Sequence, residues 1–482
     1  MNSQPVSHTL ITFGKKIKTL ALIAGPVLAI LVYFLLSDTA LSGEARATAG
    51  IATLMAIWWM TEAIPLPATA LLPIILFPLT GVMPVAEATA PYANHIIFLF
   101  LGGFLLGIAM QRWNLHKRIA LNIVRLSGTG PRRLVGGFML ASALLSMWIS
   151  NTATVIMLLP VASSTLLLLE NESPQHSHLS IALLLGIAYA ASIGGVGSLL
   201  GSPPNLVYAS FMEREFGMQV TMVQWMKTGI PIVLTLLPIC WLLLTRVLFR
   251  LPKRGDAALV INDELNRLGP MSRAEKMVLS VFIAAATSWV LRSQIIKWTG
   301  LAGLTDSVIA VAAGVLLFIL PVQLKERRFI LRWQDTRDLP WGILLLFGGG
   351  LSLAAGISSS GLDAEIAGLM SGLAGWPSLL VLLFIAGLVI FVTELSSNTA
   401  TANTFIPILA AAAVGLGLNV GSVTLVVAIA ASCAFMLPVA TPPNAVVFSS
   451  GKISIAQMMR AGVLLNFIAV IIVTAAIEIL ST

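Results

Sequence analysis

Long apolar stretches alternate with short polar ones along the chain, and the lengths of the apolar stretches set their meaning. Residues 20–36 follow Lys15, Lys16 and Lys18, and they are long enough to cross a hydrocarbon core of about 30 Å. A secretory signal ending at Ala47-Thr48-Ala49 would carry the same basic flank. The length fits a span better, and the lysines place the N-terminus in the cytoplasm. Further spans are predicted at 51–64, 66–79 and 92–111, the last carrying FLFLGGFLLG. A dense basic segment follows, with Arg112, Lys117, Arg118, Arg125, Arg132 and Arg133, which the same rule assigns to the cytoplasm.

Two later stretches have the wrong length for a simple span. Residues 134–169 contain no Asp, Glu, Lys, Arg or His; as helix they would extend about 54 Å at 1.5 Å per residue. That is too long for one crossing and too short for two crossings with a turn. A re-entrant helical hairpin fits, with Ser150-Asn151-Thr152 near its tip. At that depth non-helical backbone is tolerated only where it is buried or lines a cavity. Both ends then return to the cytoplasm, just before Glu170 and Glu172. Residues 179–212 are also uncharged and carry GGVGSLLGSPPN at 194–205. Glycine weakens a helix and proline removes a donor from it, so one broken helix is predicted. A crossing at 226–249 then leads through Arg246, Arg250, Lys253 and Arg254 into a polar connector, 251–276. Spans at 277–291 and 305–320 precede another basic run from Lys325 to Arg337.

The second half repeats this plan. FGGGLSLAAG at Phe347 answers FLGGFLLG at Phe100, SNTAT occurs at Ser150 and at Ser397, and VATPPN at Val439 answers LGSPPN at Leu200. Gly102 to Gly349 and Asn151 to Asn398 are both separated by 247 residues, and Asn205 to Asn444 by 239. A second hairpin is predicted at 376–416 and a second broken helix at 423–448. Five crossings separate the two hairpins, and an odd number inverts the second copy, as in the inverted repeats of secondary transporters. The expected organisation is an N-terminal segment with the first span (1–50), a first repeat (51–250), a cytoplasmic connector (251–276) and a second repeat (277–482). The fold class is an all-α polytopic membrane protein with about 11 transmembrane helices, its two hairpin tips meeting near the midplane.

Composition agrees with that picture. Of 482 residues, 57% are hydrophobic and 10% charged, against about a quarter charged in soluble domains. The lipid bilayer is therefore a partner of much of the surface. The net charge of +8 sits between apolar stretches, which makes it a topology signal and gives no reason to expect a nucleic-acid partner. Cys240 and Cys433 lie in apolar segments and have no metal-ligand or disulfide spacing.

A hairpin tip or broken helix presents helix N-terminal amides and C-terminal carbonyls, which bind anions and cations without charged side chains. Ser, Thr and Asn add oxygens for a hard cation and donors for a carboxylate. Ser150, Asn151 and the carbonyls near Gly201 supply such oxygens without burying a carboxylate. No Lys or Arg lies in any of the four motifs. An anionic substrate must then be neutralised by dipoles and by co-bound cations, which favours coupling to sodium or protons. Packing is the competing use of small polar residues in membrane helices, but two copies in matched register, each followed by Pro-Pro-Asn, argue against it.

The paired SNTAT and PPN motifs resemble those of the divalent anion/sodium symporter family, carriers of di- and tricarboxylates, and the likeness runs from about Ile51 to Ile479. That resemblance implies a homodimer in which a transport domain of hairpins and broken helices moves as an elevator against a scaffold domain. It assigns a first sodium to Ser146, Ser150, Asn151 and Gly201, and a second to Thr393, Ser396, Asn398 and Ala440, partly through backbone carbonyls. Substrate carboxylates would meet Asn151, Thr152, Ser202 and Pro203 on one side. On the other they would meet Ser397, Asn398, Thr399, Thr441 and Pro442. Na+ is the implied coupling ion, with no organic cofactor. Exchangers of the superfamily often have a degraded second motif, and both are intact here. The resemblance thus points to a sodium-coupled symporter of C4-dicarboxylates such as succinate, malate or fumarate, a multi-pass protein of the cell membrane, which is the inner membrane if the cell is bacterial. The alternatives are a dicarboxylate exchanger and a tricarboxylate or sulfate carrier of the same fold.

Other signals carry less. Glu394 is the one charge between Glu365 and Lys452, and intramembrane charges are functional suspects; it either tunes sodium affinity or anchors the hairpin through backbone hydrogen bonds. GGVGSLLG lacks the Lys-Ser/Thr of a phosphate loop. The motif regions contain no His and a single carboxylate, which argues against an enzyme, and hairpins meeting tip to tip argue against an open channel.

Overall fold

The computed structural model describes residues 5–481 apart from 38, 40, 129, 170–173, 253–256 and 372–374. Glu170, Glu172, Lys253 and Arg254 of the predicted loops lie outside the described residues. Helices dominate the rest. Seven are long and apolar enough to cross a membrane, or eight if Arg273–Val290 and Arg292–Thr299, bent by 81°, form one span. A two-stranded antiparallel ribbon, Pro321–Gln323 with Arg328–Phe329, interrupts the helices within the basic run.

Several predicted spans are resolved differently. The stretch 66–79 divides into Leu66–Thr69 and Leu72–Thr80, each with a proline in its first turn, where the missing N–H donor costs nothing. The helix predicted from 51 begins earlier, as Gly43–Thr61, where Ser42 Oγ accepts a hydrogen bond from the Ala45 amide. It stops at Glu62, which adopts a left-handed conformation and pairs with Lys18 at 3.0 Å. The polar connector is ordered by a helix, Ala258–Leu268. Lys117 bonds Glu264 at 2.8 Å, Arg118 bonds Glu275 at 2.8 Å, and Arg118 also donates to the Gly269 carbonyl. The Lys117 hydrogen bond holds the Glu264 carboxyl below its ordinary pKa.

The chain forms two compact units, each assembled from separated segments. One contains Met1–Ile97, Val207–Met218 and Pro340–Ala431; the other contains Phe98–Leu206, Gln219–Leu339 and Ser432–Thr482. In the first, Met55, Trp59, Phe77, Leu346 and Leu353 form the buried core. Gly349 there abuts the Ala70 backbone so closely that a Cβ would overlap it. In the second, the Tyr189 ring meets Phe435 edge-on at 5.3 Å and its hydroxyl donates to the Met458 carbonyl. The second hairpin lies in the first unit; the first hairpin and the interruptions before both Pro-Pro-Asn motifs lie in the second.

Candidate functional site

The first hairpin is the helix pair Pro131–Ser146 and Asn151–Leu169, broken at 147–150. Pro131 occupies the first helical position, where its missing donor costs nothing. Ser150 Oγ accepts from the Ala153 amide at 3.3 Å and so caps the second helix. Ser146, the last residue of the first helix, is fully buried. Its Oγ donates to the Ala191 carbonyl at 2.7 Å and also touches Asn151 Oδ1.

The Asn151 amide satisfies its neighbours in one orientation: with the amide turned over, the nitrogen donates to Ala191 O at 3.2 Å and to Gly201 O at 3.1 Å. With the oxygen there, three further oxygens converge on it: Ser146 Oγ, Ala191 O and Gly201 O. These neutral oxygens, gathered where helix ends meet, are the kind of ligand a hard cation takes. All four donors are neutral, which suits a monovalent hard cation. The cradle is tight: a Cβ on Gly201 would stand 2.5 Å from Gly195 O and 2.8 Å from Ser146 O, and one on Gly195 would stand 2.8 Å from Asn151 Oδ1.

The broken helix that completes this cradle ends at Gly195 and resumes at Pro203, again with Pro at the first position. Its freed carbonyls are satisfied individually, as buried backbone groups must be. Asn205 Nδ2 donates to Gly195 O at 2.9 Å and to Ser198 O at 2.7 Å, and Trp225 Nε1 donates to Val196 O at 2.8 Å. Ser198 Oγ accepts from the Gly201 amide and donates to Met147 O, joining the break to the hairpin turn. Ser202 Oγ lies 2.8 Å from Ser432 Oγ.

The second hairpin repeats the arrangement with Ser378–Thr393 and Asn398–Leu416. Thr393 Oγ1 lies 2.9 Å from Asn398 Oδ1 and 3.0 Å from Ala431 O, as Ser146 does with Asn151 and Ala191. Ser396 Oγ bonds Thr401 Oγ1 at 2.7 Å. Ser397 gives no side-chain cap to the following helix, so its first-turn amides stay available to an anion. Glu394 is fully buried at the end of Ser378–Thr393. Beyond the second break, Thr441 Oγ1 caps the Asn444 amide at 3.2 Å, and Pro442 opens the helix Pro442–Phe448.

Of the residues proposed from sequence, Ser146, Asn151 and Gly201 come together, with Ser150 capping the same turn and Thr152 following in its helix. Thr393 and Asn398 come together as well, while Ser396 turns to Thr401 and Thr399 is buried in the first helical turn. Ala440, Thr441 and Pro442 belong to the other compact unit, as does Ser432, the partner of Ser202. Sequence reasoning missed the carbonyls of Ala191 and Ala431, which leave no side-chain signature. It also left the two Pro-Pro-Asn asparagines without a role, although their repetition in matched register was a usable signal.

Apolar helices interrupted twice beside clusters of neutral oxygens define a polytopic membrane protein with a transporter fold. The family described as sodium:sulfate symporter transmembrane region matches residues 16–480, and the chain belongs to that family. The sodium-dependent dicarboxylate transporter SdcS of Staphylococcus saprophyticus is 41% identical over 474 residues, covering 95% of this chain and 90% of the relative. Its namesake in Staphylococcus aureus strain bovine RF122 is 40% identical over 487 residues, covering 97% and 94%. Among solved structures, the YdaH transporter of Alcanivorax borkumensis shares the fold at a TM-score of 0.55 and 15% identity, covering 89% of this chain and 98% of that one. MtrF of Neisseria gonorrhoeae does so at 0.56 and 12%, covering 93% and 97%.

Proposed function

We propose that the chain is a sodium-coupled symporter of C4-dicarboxylates such as succinate, malate and fumarate. The observation that carries this reading is the oxygen cluster at Ser146, Asn151, Ala191 O and Gly201 O, echoed by Thr393, Asn398 and Ala431 O. The names of the staphylococcal relatives, which specify sodium and dicarboxylate, support it. In this reading one sodium is held by Ser146, Ser150, Asn151 and Gly201, the other by Thr393, Ser396, Asn398 and Ala440.

The substrate's two carboxylates then take separate clamps, Asn151, Thr152, Ser202 and Pro203 for one and Ser397, Asn398, Thr399, Thr441 and Pro442 for the other. Two sodium charges balance two carboxylate charges, so the loaded site is neutral overall. This lowers the desolvation cost of carrying a dianion through a low-dielectric interior. Transport by an elevator motion of a homodimer, in an inner membrane with the N-terminus cytoplasmic and no catalytic step, completes the proposal.

The family description names sulfate, which also carries two negative charges, and this favours a sulfate carrier as the second reading. Proteoliposomes with no internal dicarboxylate test both. Labelled succinate should accumulate only under an inward sodium gradient, and unlabelled malate should suppress it while sulfate does not. Uptake that ignores sodium and needs internal dicarboxylate makes the protein an exchanger, and suppression by sulfate alone supports the second reading.

A further inference from the structure

The two Pro-Pro-Asn asparagines do the same thing in the two halves of the chain. Asn205 Nδ2 donates to the carbonyls ten and seven residues earlier, Gly195 and Ser198, at 2.9 and 2.7 Å. Asn444 Nδ2 donates to the carbonyls ten and seven residues earlier, Ala434 and Leu437, at 3.2 and 3.0 Å. Both side chains are fully buried, and the Oδ1 of each is a buried acceptor with no hydrogen-bond partner. An unsatisfied buried acceptor is unfavourable. An amide kept in both halves despite it is kept for its two N–H donors.

Those donors act on a particular turn. The Ser198 carbonyl also accepts from the amide of Gly201, at 3.4 Å, and the Leu437 carbonyl accepts from the amide of Ala440, at 3.2 Å. Gly201 and Ala440 are the residues whose carbonyls are assigned to the two sodium ions. Each asparagine therefore staples the four-residue turn that ends in a carbonyl assigned to sodium. In the first half the second anchor, Gly195, is also in direct register with the cradle, since a Cβ there would meet Asn151 Oδ1 and Gly201 O.

We propose that Asn205 and Asn444 are positioning residues for sodium: they touch neither ion nor substrate, and by fixing the turn before each carbonyl they set the affinity for the coupling ion. This rests on the sodium-symport reading above. The test is the sodium concentration giving half-maximal succinate uptake in proteoliposomes, at saturating succinate, for wild type, Asn205→Leu and Asn444→Leu. Leucine keeps the shape and removes the donors without adding charge. Each leucine variant should need at least about tenfold more sodium, with the maximal rate per folded protein within about threefold of wild type. Asn205→Ser and Asn444→Ser, which retain one donor, should fall between.

A lowered maximal rate with an unchanged sodium requirement would make the asparagines merely structural and overturn the proposal. If the leucine variants do not fold, the serine variants decide by the same criterion. Failure of those to fold as well assigns the residues to folding and also overturns it. Wild-type uptake that is independent of sodium would instead sink the symport reading, and this proposal with it.

Discussion

The two interrupted helices reach one geometry with different materials. The first break uses Gly194, Gly195, Gly197 and Gly201, and the positions 239 residues later are Cys433, Ala434, Met436 and Ala440. Asn205 and Asn444 staple both breaks at the same offsets. In the first break Ser198 Oγ also donates to Met147 O, whereas the matching position in the second holds Leu437. The first cradle is closed by backbone contact so tight that no Cβ fits at Gly201. The difference teaches that the staple is what the two halves need in common, and that the glycines serve close approach in one half alone.

Exchanging residues between the halves is the sharpest way to break that comparison. Gly195→Ala places a Cβ 2.8 Å from Asn151 Oδ1 and 3.0 Å from Gly201 O; overpacking costs up to about 3 kcal/mol, and if that strain is relieved by displacing these two proposed sodium ligands it corresponds to about a hundredfold in affinity. Sodium-driven uptake at a fixed, subsaturating sodium concentration should therefore fall by about that factor, while Ala434→Gly at the matched position stays within about threefold. Equal losses in the two variants would remove the asymmetry.

A smaller effect is expected from the paired hydroxyls. Ser146→Ala and Thr393→Ala each remove a hydrogen bond to a carbonyl and, in the proposed sodium sites, one ligand oxygen, a loss of about 1.5 kcal/mol. Each should raise the sodium requirement by roughly tenfold, and Thr393→Ser should restore most of the wild-type value. If the two hydroxyls serve separate ions, the double variant should show the losses summed as free energies; a sodium titration with unchanged midpoint in either single variant contradicts the assignment.

The smallest effect belongs to the hydroxyl found in one half only. Ser198→Ala should weaken sodium dependence by about fivefold, near 1 kcal/mol for a lost hydrogen bond, and Leu437→Ser should change it by less than twofold. A larger loss at Leu437 than at Ser198 would mean that the second break depends on its hairpin in a way its own hydrogen bonds do not reveal.

Much of the helical plan was legible because the signals are steric and local. Pro203 and Pro442 begin helices, the Pro-Pro pairs forbid continuity before them, and the chain breaks at 147–150 and at 394–397, beside the two Ser-Asn-Thr triplets. The division of 66–79 was written in Pro67 and Pro73 but masked by uniform hydropathy. Within the site, side chains with obvious oxygens were found, and Ser146 and Thr393 proved to be equivalent partners of Asn151 and Asn398. What escaped was what depends on tertiary approach. The Ala191 and Ala431 carbonyls are backbone atoms of ordinary alanines, and the Asn205 and Asn444 staples close over ten residues of chain whose path no periodicity describes.

The central claim is that sodium and a dicarboxylate are carried together by the two oxygen clusters. Its most direct test is to drive the ion with the substrate. In proteoliposomes with equal sodium on both sides, an inward succinate gradient should cause net accumulation of radiolabelled sodium in wild type. It should not in Asn151→Asp, whose added charge would stand beside the carboxylate that the proposed clamp holds. Succinate entry with no sodium accumulation, or accumulation undiminished in Asn151→Asp, would contradict the account.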